Sequence, residues 1–151
     1  MAVPKISAKA IGLYFNEGTP EAPEWLMFAC STSDGLSGST DTVTAATKCD
    51  GDWVDSLPTD LSWEFSNSSY AAKTAELSAG MASHDKAFEL WSTKAEGMFM
   101  LSDNVDPAAA DYLRIGMGVI TSYSETSDSS DFLQFELTVT GKGAIANIPA
   151  A

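Results

Sequence analysis

Basic residues are scarce in this chain. Eight lysines and arginines stand against 21 aspartates and glutamates, a formal net charge of −13, and Arg114 is the only arginine. The lysines are scattered from Lys5 to Lys142 and form no stripe that could displace counterions from phosphates. Direct DNA or RNA binding is therefore excluded, and nucleic acid remains only as a passive partner.

Histidine is as rare. His84 stands alone, without a cysteine, carboxylate or second histidine at ligand spacing, which removes the usual proton shuttle and the usual metal ligand. The acids fall mostly in serine-rich turns, with no base beside a nucleophile. An enzyme is not expected, and no catalytic, cofactor-binding or metal-binding residue is assigned. Cys30 and Cys49 are the only cysteines. Two sulfurs are too few for structural zinc without histidine; they read as free thiols in a reducing compartment, with a disulfide as the alternative. Long apolar runs are missing too. MAVPKISAKAIGLYF is too short-runned for a secretory signal and nothing approaches a bilayer span, so the expectation is a soluble protein made in the cytoplasm with no membrane partner.

What is present is β pattern. From Tyr112 to Thr121, Leu113, Ile115, Met117 and Val119 alternate with Tyr112, Arg114, Gly116, Gly118 and Ile120. The first set predicts the buried face. After an exposed break, ETSDSSD, the return strand sets Leu133, Phe135, Leu137 and Val139 against Phe132, Gln134, Glu136 and Thr138. Gly116 and Gly118 share a side, which predicts a bend there or a large ring close over the backbone.

The length, 151 residues, predicts one domain, 1–151. Residues 1–23, with Pro4, Pro20 and Pro23, read as an irregular arm carrying at most a short strand around Ile11 to Phe15, either frayed or docked on a neighbouring subunit. EWLMFAC, from Glu24 to Cys30, reads as a core strand. Residues 31–60 then run without sustained periodicity for about thirty residues, longer than structureless loops usually are, which predicts a functional loop or one ordered by a partner. In it Trp53, Val54 and Leu57 lie among Asp50, Asp52 and Asp55. They either fold back on their own core or anchor an inter-subunit contact. DGDWVD has oxygen ligands at close spacing but lacks the later glutamate of an EF-hand loop.

Leu61, Trp63 and Phe65 alternate with Ser62, Glu64 and Ser66, a further strand. Ser83 can cap a helix over roughly 83–93, with Ala87, Phe88 and Trp91 as its buried stripe. MFML, after Gly97, is another short strand.

The segments SGSTDTVTAATKCDGDWVDSLPTDLSWEFS, AFELW, GMGVITSYS and FELTVTGKGAI, in this order, cover most of residues 25–145. Together they resemble the major tail tube proteins of long-tailed bacteriophages, particularly the lactococcal-temperate-phage-type family. The stretch from Tyr70 to Gly80 and the acidic hairpin tip depart from it.

The resemblance implies a mainly β fold, a sandwich or barrel with one flanking α-helix, whose copies stack as hexameric rings into a tube through which DNA leaves the virion. It implies as partners the chain itself and the tape-measure, baseplate and terminator proteins, a location in the virion tail after synthesis in the host cytoplasm, and ring-to-ring contacts by residues 1–23, 31–60 and 141–151. On this reading Glu64, Gln134 and Glu136, on the polar faces of their strands, line the lumen; an ordinary solvated outer face is the other possibility. A binding module displaying Trp25, Trp53, Trp63 and Trp91 to a carbohydrate or protein is the competing function.

Overall fold

The computed structural model describes residues 3–19, 21–45, 55–129 and 132–147. Among these, eight strands form in chain order: β1 (Gly12–Asn16), β2 (Trp25–Phe28), β3 (Ser31–Ala45), β4 (Asp55–Tyr70), β5 (Met81–Ala82), β6 (Glu96–Ser102), β7 (Leu113–Thr126) and β8 (Gln134–Ala146). One helix, α1 (His84–Ser92), joins β5 to β6. The strands make a single sheet in the order β3-β4-β8-β7-β6-β1-β2-β5, antiparallel except for β2 beside β5. The fold is mainly β with one flanking helix, as expected.

The sheet is open. A barrel requires its last strand to hydrogen-bond its first; here one end is the two-residue β5 and the other is β3. The sheet instead bends over itself. Phe65 of β4 and Leu13 of β1, far apart in strand order, belong to the same buried cluster with Phe28, Phe99, Phe135 and Leu137. A second, smaller cluster of Tyr14, Met100 and Leu113 sits on the opposite face of β1, β6 and β7.

Several expectations are corrected here. Residues 31–45 and 55–60 are strand rather than loop: Ser31 to Ala45 pairs with Asp55 to Ser69, antiparallel, as the two arms of a long hairpin. Its outer face is polar and the far part of its inner face has no core of its own chain to cover, so no apolar alternation marks the strands. Part of the supposed N-terminal arm is core: every residue of β1 is buried, because β2 and β6 flank it. The supposed C-terminal tail begins inside β8.

Leu113 is buried as expected, but from Gly116 onward the faces of β7 are exchanged. Gly116, Gly118 and Ile120 point inward, while Met117 is exposed and Ile115 and Val119 are half-buried. The glycines face inward where a Cβ would collide, on Gly118 with Val139 Cγ1 at 2.7 Å and Thr140 O at 2.9 Å. A Cβ on Gly116 would lie 2.6 Å from the Trp63 ring, and one on Gly141 would overlap it outright. Beside this ring, two residue steps on β7 (Gly116 to Gly118) face four on β8 (Ile145 to Gly141), with Gly143 at φ +87. The resulting bulge bends β8 away from β4.

In α1 the buried side chains are Ala87 and Leu90. Phe88 and Trp91, expected in the core, are 50% and 40% exposed. The helix packs along β7 and contributes only Ala87 and Leu90 to the main core cluster. Ser83 occupies the N-cap position without capping; its hydroxyl accepts from Ala72 N at 2.9 Å and ties the β4 exit to the helix.

Candidate functional site

On β4, Trp63, Phe65, Asn67 and Ser69 are buried, so Glu64, Ser66 and Ser68 point the other way. The register carries this face across neighbouring strands. Glu64 stands between Ser37 of β3 and Thr140 of β8, Ser66 between Gly35 and Thr138, and Ser68 between Ser33 and Glu136. On the far side, Ser122, Ser124 and Thr126 of β7 oppose Thr138, Glu136 and Gln134. The outer face of β3-β4-β8-β7 is thus almost wholly hydroxyl, punctuated by two carboxylates and one amide.

This face holds few fixed contacts. Ser37 Oγ donates to Glu64 Oε1 at 3.3 Å, and the hydroxyls of Thr121 and Thr140 are 2.7 Å apart. Glu64 and Glu136 lie on adjacent strands but are offset by four residues of β8, roughly 13 Å at the rise of a strand, too far for direct repulsion in salt. The cation at the border, Lys142, is held by Glu96 at 2.6 Å.

Behind the face lies a polar knot, buried at Asn67 and Ser69, half-buried at Asp34 and exposed at Ser31. The Asp34 carboxylate accepts from Ser31 Oγ at 2.5 Å and from Asn67 Nδ2, and Asn67 Oδ1 accepts from Ser69 Oγ at 2.7 Å. Burial raises the Asp34 pKa above the usual carboxylate value, and the two donors only partly oppose it. The knot satisfies groups that would otherwise be orphaned in the core, and it pins β3 to β4.

Glu64, Gln134 and Glu136 share this one surface. Leu57 lies away from it, opposite Val43 on the far part of the hairpin, and is 62% exposed. Trp53, Val54, Cys49 and the acids Asp50 and Asp52 lie outside the described residues. Cys30 is an exposed thiol at φ 58. His84 caps nothing: its ring contacts Asp85 at 3.4 Å and packs near Phe135. Among the described residues no cluster of His, Cys, Asp or Glu could hold a metal, and no helix is long and apolar enough to cross a membrane. The described tryptophans form no platform: Trp63 is in the core, Trp25 borders the smaller cluster and Trp91 is on α1.

No protein-family model and no curated protein sequence matches the chain. Solved structures do. A chain from the tail of an empty gene transfer agent particle, from helical refinement with C6 symmetry, superposes with a TM-score of 0.73 over 95% of this chain and 98% of its own at 15% identity. The chain has the tail-tube fold. A chain of the SPP1 tail tube gives a TM-score of 0.69 over 92% of this chain and 77% of its own at 13% identity. A chain of the anti-feeding prophage baseplate gives 0.62 over 99% and 100% at 10% identity. At such identities the tail-tube fold is maintained by strand pattern and register rather than by particular residues.

Sequence reasoning missed the β3 part of the polar surface. Ser33, Ser37 and Ser39 do alternate, but with Asp34, Leu36 and Gly38 between them the contrast between faces is faint.

Proposed function

We propose that this protein is a structural subunit of a tail tube, its copies forming hexameric rings that stack around a lumen through which DNA passes. The observation that carries the reading is the outer face of β3-β4-β8-β7, whose neutral hydroxyls and two carboxylates include no unpaired cation among the described residues. Such a surface is wettable yet offers phosphates nothing to bind, and its carboxylates repel them at short range. Glu64, Gln134 and Glu136 line the lumen, and the conduit works by not binding its cargo.

Two open edges support the same reading. β3 ends the sheet, and residues 120–126 of β7 pair only with β8, since the β6 register stops at Val119. Copies set side by side with β3 against β7 continue the polar face from one to the next and remove edges that would invite aggregation. The far part of the β3–β4 hairpin, with Val43 and Leu57, then reaches the adjoining ring; Trp53, Val54 and residues at both termini are the further anchors of that contact. Tape-measure, baseplate and terminator proteins are the further partners, and the location is the virion tail after synthesis in the host cytoplasm.

Electron microscopy of the purified protein tests this. Tubes or rings of one diameter, with Glu64 and Glu136 facing the channel, are expected. A monodisperse monomer at high concentration and moderate salt overturns it.

A further inference from the structure

The chain carries an exposed aromatic knob and an exposed apolar socket that cannot meet within one copy. The knob is Phe88 and Trp91, whose rings are 5.9 Å apart; Trp91 stacks on Tyr123 at 6.1 Å and 28°. That stacking holds the pair rigid, as suits an interface anchor. Trp91, Ser92 and Lys94 form one wall of a 550 Å³ cleft whose other wall is Val119, Ile120 and Thr121, the start of the open β7 edge. The knob therefore stands where a further strand would add.

The socket is at the opposite margin. A groove of about 590 Å³ is lined by Leu36, Leu61, Trp63, Gly141 and Ile145, where the bulge has parted β8 from β4. Leu61 is 81% exposed although it shares its side of β4 with Trp63, because nothing among the described residues covers it. The socket adjoins β3, the second open edge, and lies on the inner side of the sheet, as does Tyr123 opposite Leu137.

We propose that Phe88 and Trp91 of one copy insert into the Leu36–Leu61–Trp63 groove of the next, beneath the edge where β7 meets the neighbouring β3. The proposal rests on the side-by-side arrangement of the tube reading. One strand spacing, about 4.8 Å, separates the two edges, so a knob beside β7 reaches over β3. The contact is heterologous, each copy giving a knob forward and a socket backward, which generates a ring when the rotation closes.

Cross-linking tests the contact. Trp91→Cys and Leu61→Cys are made separately in chains carrying Cys30→Gly and Cys49→Ser, mixed, assembled and oxidised. Disulfide dimers are expected from the mixture and not from either variant alone. Trp91→Ala, verified as folded by circular dichroism, should raise the concentration needed for assembly at least about tenfold. Tubes that form without dimers, or Trp91→Ala assembling at the wild-type concentration, overturn the contact while leaving the tube reading intact. Dimers without rings or tubes uphold the contact and remove the tube.

Discussion

The indole of Trp63 occupies the space that a side chain on Gly141 would need, and its Nε1 donates to the carbonyl of Gly143 at 2.9 Å. This one ring fills the corner where β4, β7 and β8 diverge, with Phe65 4.9 Å away.

Gly141→Ala should accordingly evict the ring and destabilise the fold by about 2–3 kcal/mol, the upper range for overpacking. Pairing it with Trp63→Leu should cost less than the sum of the two single changes. Urea unfolding of all four proteins measures the coupling; strict additivity would show that the ring does not depend on the missing Cβ.

Helix α1 ends in a Schellman arrangement, with Ala95 N on Leu90 O at 3.1 Å and Lys94 N on Trp91 O at 3.2 Å. The left-handed position is filled by Lys94 at φ 55, where glycine is the unstrained choice. Lys94→Gly should stabilise the monomer by up to about 1 kcal/mol, read as a raised Tm. An unchanged or lower Tm counts against strain at this residue.

Asp34 gives a pH signature. Its carboxyl pKa is raised by burial in the folded chain, so its contribution is fully present below the unfolded value, near 3.9, and is lost as pH rises through the folded value. Asp34→Asn keeps an acceptor for Asn67 and a donor toward Ser31. Its stability relative to wild type should therefore improve from acidic to neutral pH. Urea midpoints at several pH values check this, and a pH-independent difference would refute it.

If the polar face lines the channel as proposed, its lack of unpaired cations among the described residues predicts a gain of function. Replacing Glu64 and Glu136 by lysine should make assembled tubes retain DNA in co-sedimentation, with each phosphate neutralised steepening the log–log salt dependence by about 0.9. Wild-type tubes should retain none. Equal retention by both would mean that these positions do not face the channel.

If the hairpin bridges rings as proposed, ring formation and stacking are separable. Thr40 pairs with Leu61, so joining them through an Asn-Gly turn in place of 41–60 preserves the socket and removes the reach. Isolated rings without tubes are the expected product in the electron microscope; normal tubes would show that the hairpin does not bridge rings.

Where apolar and polar residues contrast, as in Trp63 and Phe65 against Ser62, Glu64 and Ser66, the strand and its faces were legible in the sequence. The same holds for Leu137 and Val139. Polarity alone could not reveal β3, because a strand between a hydroxyl face and a polar knot has no hydrophobic period to display. Nor could it orient β7: Met117 and Val119 read as core, yet the inward positions go to Gly116, over which the Trp63 ring from β4 lies, and Gly118, pressed against Val139 and the Thr140 backbone. Phe88 and Trp91 were misplaced for a related reason. Hydrophobicity marks what must be covered, not whether the cover comes from the same chain.

Trp63 and Glu64 are neighbours on one ribbon, the first closing the core and the second facing outward. Because strand side chains alternate, a slip of β4 by a single residue would exchange them, driving a carboxylate into the aromatic corner and an indole onto the polar surface. Each chain thereby carries its own proofreading: a subunit with a mispaired hairpin cannot bury its core, and a subunit that has folded has already set its polar surface in the correct orientation.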